Sequence, residues 1–294
     1  MDIFQVMKEF PTQKSCIRYL EKVRWRNKPT CPYCGVLKPK PTPMPKEQRY
    51  HCNSCNKSFS VTVDTIFHNT NLPLQKWFLA ISLIINAKKG ISARQLGRNL
   101  HVNKNTAWRI AMQIREAMQG DEQQELLQGI IEMDETYIGG KVRKQGKGSN
   151  EDRRIGGFRK RRSTVVGLIE RNGDVRAEHA KDPAVKFKSL SSLVRQNVDL
   201  KKSVLITDES KVYKRMKDVL PHRSIDHSIW YSKDGWIHTN SIESFWALLK
   251  RGIVGQFHKV SAKHLYKYIN EFAYRFNHRN NGDTFSLTIK RAVS

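Results

Sequence analysis

The sequence predicts a multi-domain α+β protein whose C-terminal half is built on a mixed β-sheet. Three observations support this prediction. Four of the five cysteines form two Cys-x-x-Cys pairs near the N-terminus, and two short helical patterns follow them. From residue 128 onward, short β-like stretches alternate with helical patterns. We therefore expect four segments, at residues 1–28, 29–70, 71–120 and 128–282.

The net charge constrains the partner. The chain has 294 residues, a formal charge of +26 and a pI of about 10.0. Such a field attracts polyanions, so the expected partner is a nucleic acid or an anionic membrane surface. The membrane alternative is disfavoured, because the most apolar run, residues 78–85, is too short to cross a bilayer. The first residues lack the apolar stretch of a secretory signal, so we expect an intracellular protein.

The cysteine spacing predicts a zinc ribbon in the second segment, 29–70. Seventeen residues separate the pair Cys31 and Cys34 from the pair Cys52 and Cys55, within the range of four-cysteine zinc sites. Four protein thiolates complete a tetrahedral Zn²⁺, so the site is structural and supplies folding energy that a core of about forty residues lacks. The alternative is a redox-active Cys-x-x-Cys. Cys16, left over, is expected to be a small buried apolar side chain.

Two helical patterns in the third segment, 71–120, predict a helix-turn-helix. They cover residues 92–100 and 104–118, with a three-residue break between them. The first turn of the second helix is where such motifs contact base edges and phosphates. The side chains expected to face outward there are Lys104, Asn105, Thr106 and Arg109. The alternative is an ordinary helical hairpin with a solvated basic face.

The first segment, 1–28, is expected to be a helical lead. The fourth segment, 128–282, is expected to contain the mixed sheet. Strands are predicted at residues 130–138, 164–170, 175–179, 203–207 and 228–231. Helices are predicted at residues 185–196, 210–219, 241–251 and 262–277. The order β-β-β-α-β-α-β-α is that of a ribonuclease-H-like sheet.

Three carboxylates fall where this fold can bring them together. Asp134 lies in the first strand of the sheet, Asp208 ends the apolar fourth strand, and Glu243 lies in the first turn of a helix. Oxygen-rich sites of this kind bind Mg²⁺ or Mn²⁺, which clamp the attacking and leaving oxygens of a phosphodiester. Each residue also has a structural alternative, as a helix cap or a strand-edge charge. By strand alternation, Glu135 is expected on the face opposite Asp134.

Five segments carry more specific motifs. They are Cys-Ile-x-x-Leu-x-x-x-Arg-Trp at 16–25, Asp-Glu-Thr-Tyr-Ile-Gly-Gly at 134–140, Thr-Asp-Glu at 207–209, His-Thr-Asn-Ser-Ile-Glu-Ser-Phe-Trp-Ala-Leu-Leu-Lys-Arg-Gly at 238–252, and Gly-Gln-Phe-His at 255–258. In these segments, and over nearly its whole length, the chain resembles the zinc-ribbon-bearing DDE transposases of small bacterial insertion sequences. That group is related to the eukaryotic Merlin elements.

The resemblance implies a catalytic triad of Asp134, Asp208 and Glu243 that binds Mg²⁺ or Mn²⁺. Some relatives use asparagine as the third residue, so Asn240 is the alternative to Glu243. Lys250 matches a basic residue that such enzymes place near the terminal nucleotides of the element. The implied activity is recognition of terminal inverted repeats, followed by metal-dependent DNA cleavage and strand transfer into target DNA. The protein is then expected to act as a homodimer or higher oligomer on the bacterial nucleoid.

Further basic side chains are expected to contact DNA. Residues 141–162 contain ten basic and two acidic residues, a density that favours a phosphate-backbone contact over a solvated tether. The residues singled out are Lys160, Arg161, Arg162 and, beside Lys250, Arg251. Two other functions remain open at this stage. A stand-alone nuclease uses the same triad without joining ends. A transcriptional regulator would carry a decayed catalytic domain, which the intact triad disfavours.

Overall fold

A computed structural model describes residues 1–36, 39–119, 125–139, 163–180, 185–225 and 236–294 of the chain. The chain divides into two compact units. The first unit comprises Met1–Gly120 together with His278–Ser294, and the second comprises Asp121–Asn277. The fourth predicted segment ends at residue 282, whereas the second unit ends at Asn277. The residues after Asn277 belong to the first unit.

Helices and strands of the described residues mostly follow one another in runs, as expected of an α+β protein. The helices are α1 (Ile3–Glu9), α2 (Gln13–Trp25), α3 (Leu74–Asn86), α4 (Ala93–Leu100), α5 (Lys104–Ala117), α6 (Phe187–Asn197), α7 (Asn240–Gly252), α8 (Ala262–Asn277) and α9 (Thr284–Val293). The strands are β1 (Thr42–Met44), β2 (Arg49–Cys52), β3 (Lys57–Phe59), β4 (Leu127–Ile138), β5 (Ser163–Glu170), β6 (Val175–His179), β7 (Val198–Asp208) and β8 (His222–Ile225).

The core of the first unit includes the C-terminal helix α9. The buried Phe285 ring lies 6.2 Å from the ring of Phe10 and 5.8 Å from that of Phe78. The Tyr19 hydroxyl and Ser286 Oγ are 2.9 Å apart. Our sequence-based prediction contains no helix after residue 277, so α9 is an addition. Its ten residues are too few for the apolar spacing to stand out without the surface on which it packs.

Helices α4 and α5 match the two predicted patterns closely. Ser92 caps α4 by accepting a hydrogen bond from the Gln95 backbone N–H, and Asn103 caps α5 in the same way. A Cβ atom at Gly97 would lie 2.9 Å from the carbonyl oxygen of Val102. The turn between the two helices therefore packs directly against the glycine of α4.

The described strands of the second unit form a five-stranded sheet in the order β6-β5-β4-β7-β8. Strands β4, β5 and β6 pair antiparallel, whereas β7 pairs parallel with both β4 and β8. This is the ribonuclease-H-like mixed sheet that the element order predicts. Strand β5 is buried over nearly its whole length because both faces of the sheet are covered.

The two faces of this sheet have separate cores. Ile131 and Met133 of β4 pack in one cluster with the buried side of α6. Val165 and Ile169 of β5 pack in the other cluster with α7 and α8. Because side chains alternate along a strand, even-numbered residues of β4 such as Asp134 belong to the α7 face.

Two predicted elements of this unit differ in the structure. The predicted helix at 210–219 is instead a short 3₁₀ segment, Lys214–Asp218. Tyr213 and Met216 are buried three residues apart, a spacing that suits the 3₁₀ period. The predicted strand at 228–231 lies outside the described residues. Strand β8 lies earlier, at His222–Ile225, where only Ile225 is buried, so its polar sequence gives no strand signal.

Candidate functional site

The four paired cysteines form one cluster. Their Sγ atoms all lie within 4.8 Å of one another. The Sγ atoms of Cys31 and Cys55 are 3.7 Å apart, and those of Cys34 and Cys52 are 3.6 Å apart. A tetrahedron with metal–sulfur bonds of about 2.3 Å has edges of roughly 3.8 Å, whereas a disulfide holds sulfurs about 2 Å apart. The spacing therefore fits four thiolates around one ion.

Two equivalent turns present these sulfurs. The backbone N–H of Gly35 donates to the carbonyl of Cys31, and that of Asn56 donates to the carbonyl of Cys52, both at 2.9 Å. Gly35 and Asn56 both adopt left-handed backbone conformations, with φ of +67° and +56°. Glycine and asparagine are the residues that adopt this conformation at least cost. Each Cys-x-x-Cys pair is thus fixed by its own local sequence.

Asp134 and Asp208 occupy matching positions on adjacent parallel strands. Strands β4 and β7 are in register at Glu132 and Ile206, and each aspartate lies two residues farther along its strand. Steps of two residues return to the same face of a strand. The register of the sheet therefore places these two predicted residues side by side on one face, and the charge of Asp208 helps to raise the pKa of Asp134.

A tryptophan from α7 covers Asp134. Trp246 Nε1 donates a hydrogen bond to Asp134 Oδ2 at 3.1 Å. The residue paired with Asp134 on β5 is Gly167, where a Cβ atom would lie 2.7 Å from the Trp246 ring. Burial raises the pKa of Asp134 to about 7, and the charges of Glu135 and Asp208 act in the same direction. The charged carboxylate is therefore costly in this position without a cation beside it.

Glu135 lies on the other face of β4, as strand alternation predicts. The hydroxyl of the buried Tyr213 donates a hydrogen bond to Glu135 Oε2, and Tyr213 belongs to the core on the α6 face. Burial raises the pKa of Glu135, the hydrogen bond from Tyr213 lowers it, and the charge of Asp208 raises it. Glu135 is thus held away from the α7 face that Asp134 occupies.

The two candidates for the third ligand lie in the first turn of α7 and differ in environment. Glu243 is exposed, and its Oε1 accepts a hydrogen bond from Thr239 Oγ1 at 2.9 Å. The Oδ1 atom of Asn240 is buried and has no hydrogen-bond partner among the residues that the structure describes.

The cysteine cluster brings all of its predicted metal ligands together, whereas the acidic residues do not. In the described part of the chain, the four cysteines are the one group of three or more His, Cys, Asp or Glu side chains close enough to hold a metal ion. The structure therefore pairs Asp134 with Asp208 but does not bring the Glu243 carboxylate into a closed cluster with them.

Glu132, absent from the predicted site, fixes the start of α7. This carboxylate is completely buried, and it accepts hydrogen bonds from the backbone N–H groups of Ser241 and Ile242 at 2.7 and 3.0 Å. It also pairs with Arg171, whose Nη2 lies 2.9 Å from Glu132 Oε1. A charged residue between the apolar residues Ile131 and Met133 is the sequence signal that points to it.

The residues expected to contact DNA lie on the surface where the structure describes them. Lys104, Asn105 and Arg109 are exposed on α5, and Thr106 is partly exposed. In the second unit, Lys250 and Arg251 are exposed in the last turn of α7. Lys160, Arg161 and Arg162 lie outside the described residues.

Among the described residues, no helix is long and apolar enough to cross a bilayer.

Two family models match the chain. Residues 126–277 match the ISXO2-like transposase domain, and residues 11–58 match the transposase zinc-ribbon domain. An uncharacterized protein in the transposable element ISH50 of Halobacterium salinarum is 26% identical over 280 residues, which cover 92% of each chain.

Two solved structures align with the chain at low similarity. One is a simian T-cell lymphotropic virus intasome in complex with PP2A regulatory subunit B56 gamma, with a TM-score of 0.31 and 13% identity over 61% of this chain. This chain covers 63% of that intasome chain, less than two thirds of its length. The other is the Mos1 strand transfer complex, with a TM-score of 0.24 and 10% identity over 69% of this chain and 76% of that one.

Proposed function

The chain belongs to the family of ISXO2-like transposases, and we propose that it binds terminal inverted repeats and catalyses metal-dependent DNA cleavage and strand transfer. One observation carries the chemical part of this proposal. Asp134 and Asp208 stand at matching positions on adjacent parallel strands, inside the residues that match the transposase domain. Two neighbouring carboxylates of this kind suit a hard divalent cation such as Mg²⁺ or Mn²⁺.

The chemistry follows from what such a cation supplies. When bound, it polarises the phosphodiester and lowers the pKa of an attacking water or hydroxyl. Asp134, within β4, and Asp208, at the end of β7, would hold the cation between them. In cleavage, a water oxygen forms a bond to phosphorus and the bridging 3′-oxygen leaves as the hydroxyl of the element end. In strand transfer, that 3′-hydroxyl attacks a target phosphodiester and displaces the target 3′-oxygen.

We propose Glu243 as the third ligand, with Asn240 as the alternative. A carboxylate contributes negative charge and binds Mg²⁺ more strongly than an amide does. The Oδ1 of Asn240 is buried and has no partner in the described part of the chain, which favours the alternative, because a buried acceptor without a donor is costly unless something binds it. Glu243→Gln and Asn240→Ala separate the two. Loss of activity only in Asn240→Ala assigns the asparagine, and activity in both variants removes α7 as a source of ligands.

The first unit is proposed to recognise DNA. Its cysteine cluster fits a structural Zn²⁺, and α4 and α5 form the helix-turn-helix whose basic, exposed side chains enter the major groove. In the second unit, Lys250, Arg251 and the basic residues 160–162 are proposed to bind phosphates. An element has two ends, so we propose that the protein acts as a homodimer or higher oligomer on them.

The central experiment measures cleavage and joining of labelled element ends in Mg²⁺. Asp134→Asn and Asp208→Asn are expected to lower both rates by about three orders of magnitude, since each removes charge worth several kcal/mol at the cation. Asp199→Asn, at the other end of the same strand as Asp208, is the matched control and should retain activity.

The same assay separates the other functions. Cleavage without joining by the wild-type protein identifies a nuclease. Terminal-repeat binding without either reaction identifies a regulator. Arg109→Ala is expected to weaken terminal-repeat binding by about 1–3 kcal/mol if it contacts a base, and unchanged affinity at fixed salt contradicts the proposed role of α5.

A further inference from the structure

The N-terminus of α7 is capped from outside the helix. Thr239 occupies the capping position but makes no side-chain hydrogen bond to the first backbone N–H groups of α7. Glu132 of β4 takes this role, because its Oε2 accepts from the N–H groups of Ser241 and Ile242. A negative charge at a helix N-terminus also interacts favourably with the helix dipole. A strand residue therefore replaces the local cap.

The remaining contacts of Glu132 join α7 to the hairpin between β5 and β6. Glu132 Oε1 accepts from Ser241 Oγ at 3.0 Å and from Arg171 Nε and Nη2 at 3.0 and 2.9 Å. The same guanidinium donates from Nη1 to the carbonyl oxygen of Trp236 at 2.8 Å, and from Nη2 to that of His238 at 3.2 Å. Arg171 thereby fixes the segment that leads into the helix.

His238 takes part in this network through its Nδ1 atom. Its Nδ1 lies 3.2 Å from Arg171 Nη2 and 3.4 Å from the backbone nitrogen of Asn240. Glu132 Oε1 lies 3.5 Å from the same Nδ1. Glu132, Arg171 and His238 thus form a connected polar network that ends at the first residue of α7.

The position of this network relates it to the acidic site. Glu132 precedes Asp134 by two residues on β4, on the same face of the strand. The two amides that it binds, Ser241 and Ile242, lie between Asn240 and Glu243 in the sequence. One buried carboxylate therefore links the strand that bears Asp134 to the helical turn that bears both candidate third ligands.

We infer that Glu132, together with Arg171, is a positioning residue that sets the distance between the third ligand on α7 and the aspartate on β4. This inference rests on the proposed function of the acidic site. Glu132 itself faces the helix and the guanidinium with both oxygens, so it is not a metal ligand. Removing it loosens the third ligand without removing any ligand.

Glu132→Gln in the full-length protein is the main test. The amide group keeps the shape but brings an N–H₂ group against donors that all need an acceptor. We expect kcat for strand cleavage to fall and the half-saturating Mg²⁺ concentration to rise, each by about 10–100-fold, as for other residues that orient metal ligands. The Kd for a terminal-repeat duplex, measured without added Mg²⁺ and with the zinc retained, should be unchanged. Glu125→Gln, which alters an exposed glutamate ahead of β4, is the matched control.

Hydrogen–deuterium exchange provides a second measurement that does not depend on activity. The amides of Ser241 and Ile242 should exchange faster in Glu132→Gln than in the wild type, whereas amides of α8 should keep their protection. Arg171→Lys is the milder variant if Glu132→Gln does not fold. It keeps the positive charge but loses the paired hydrogen bonds from Nε and Nη2 to Glu132. It should show the same effects at smaller size.

The outcomes are distinct. Unchanged Mg²⁺ dependence together with unchanged exchange at the start of α7 overturns the inference. A lower kcat with unchanged Mg²⁺ dependence also overturns it, since that result indicates a purely structural role. If the wild-type protein cleaves no element ends with Mg²⁺ or Mn²⁺, the proposed function fails, and the exchange data still report whether Glu132 holds the helix.

Discussion

The cysteine cluster and the acidic site are built in opposite ways. The four sulfurs come from two short turns between Cys31 and Cys55, and their spacing already fits a tetrahedral ion. The acidic residues come from two strands and a helix spread between Asp134 and Glu243, and their carboxylates do not form a closed cluster. A local turn fixes a sulfur pair by itself, whereas an aspartate on a strand is placed only by its neighbours in the sheet. Closed geometry suits a structural metal, and open positions suit a metal that must accept substrate.

The largest expected effect comes from a substitution in the cysteine cluster. Cys34→Ser should lose Zn²⁺ and unfold the ribbon, because the metal supplies on the order of 10 kcal/mol to a module of this size. Elemental analysis and circular dichroism of purified protein measure both effects. Weak Mg²⁺-dependent nicking should persist, since the acidic residues lie in the other unit. Wild-type protein without stoichiometric zinc contradicts the assignment, and Cys16→Ser, outside the cluster, is the control for loss of a thiol.

The second unit should fold without metal, but its stability should depend on Mg²⁺ and on pH. The pKa of Asp134 is raised to about 7 by burial. A raised carboxyl pKa stabilises the fold fully below the unfolded pKa and loses that contribution as pH rises towards 7. The metal-free second unit should therefore be less stable at pH 8 than at pH 5, and Mg²⁺ should restore stability at pH 8.

Calorimetry with and without Mg²⁺ measures this effect. At a Mg²⁺ concentration of about 100 times Kd the gain is roughly 2.7 kcal/mol, or a Tm increase of about 5–10 °C. Asp134→Asn should show a flatter pH dependence and little response to Mg²⁺. An equal Mg²⁺ response in that variant would count against a cation at Asp134.

The smallest expected effect comes from adding one methyl group beside Asp134. Gly167→Ala places a Cβ against the Trp246 ring, which must then move from Asp134. We expect a loss of stability of about 1–3 kcal/mol from overpacking, with a fall in cleavage rate and no loss of zinc. Denaturant unfolding and the cleavage assay measure the two effects. Gly255→Ala, where a Cβ meets no atom within 4 Å, is the matched control, and equal behaviour of the two variants contradicts the close packing of Trp246.

The sequence by itself determined the parts of the protein that local patterns encode. Cysteine spacing predicted the cluster of four sulfurs, and an aspartate within the first strand and another at the end of the fourth predicted the pairing of Asp134 with Asp208. Alternation along β4 placed Glu135 on the opposite face, and helix caps such as Ser92 marked α4. These features depend on neighbours within a few residues, so the printed sequence contains the information.

Only the tertiary structure decided the features that depend on distant partners. Helix α9 has too little pattern of its own to be recognised, and it is stabilised by rings such as Phe10 and Phe78 from the other end of the chain. Glu132 is a single acidic residue in a strand until Arg171 and the first amides of α7 surround it. A buried charge is tolerated only where its partners are assembled around it. Which distant groups meet at such a point is set by sheet register and helix packing, and neither is visible in residue spacing alone.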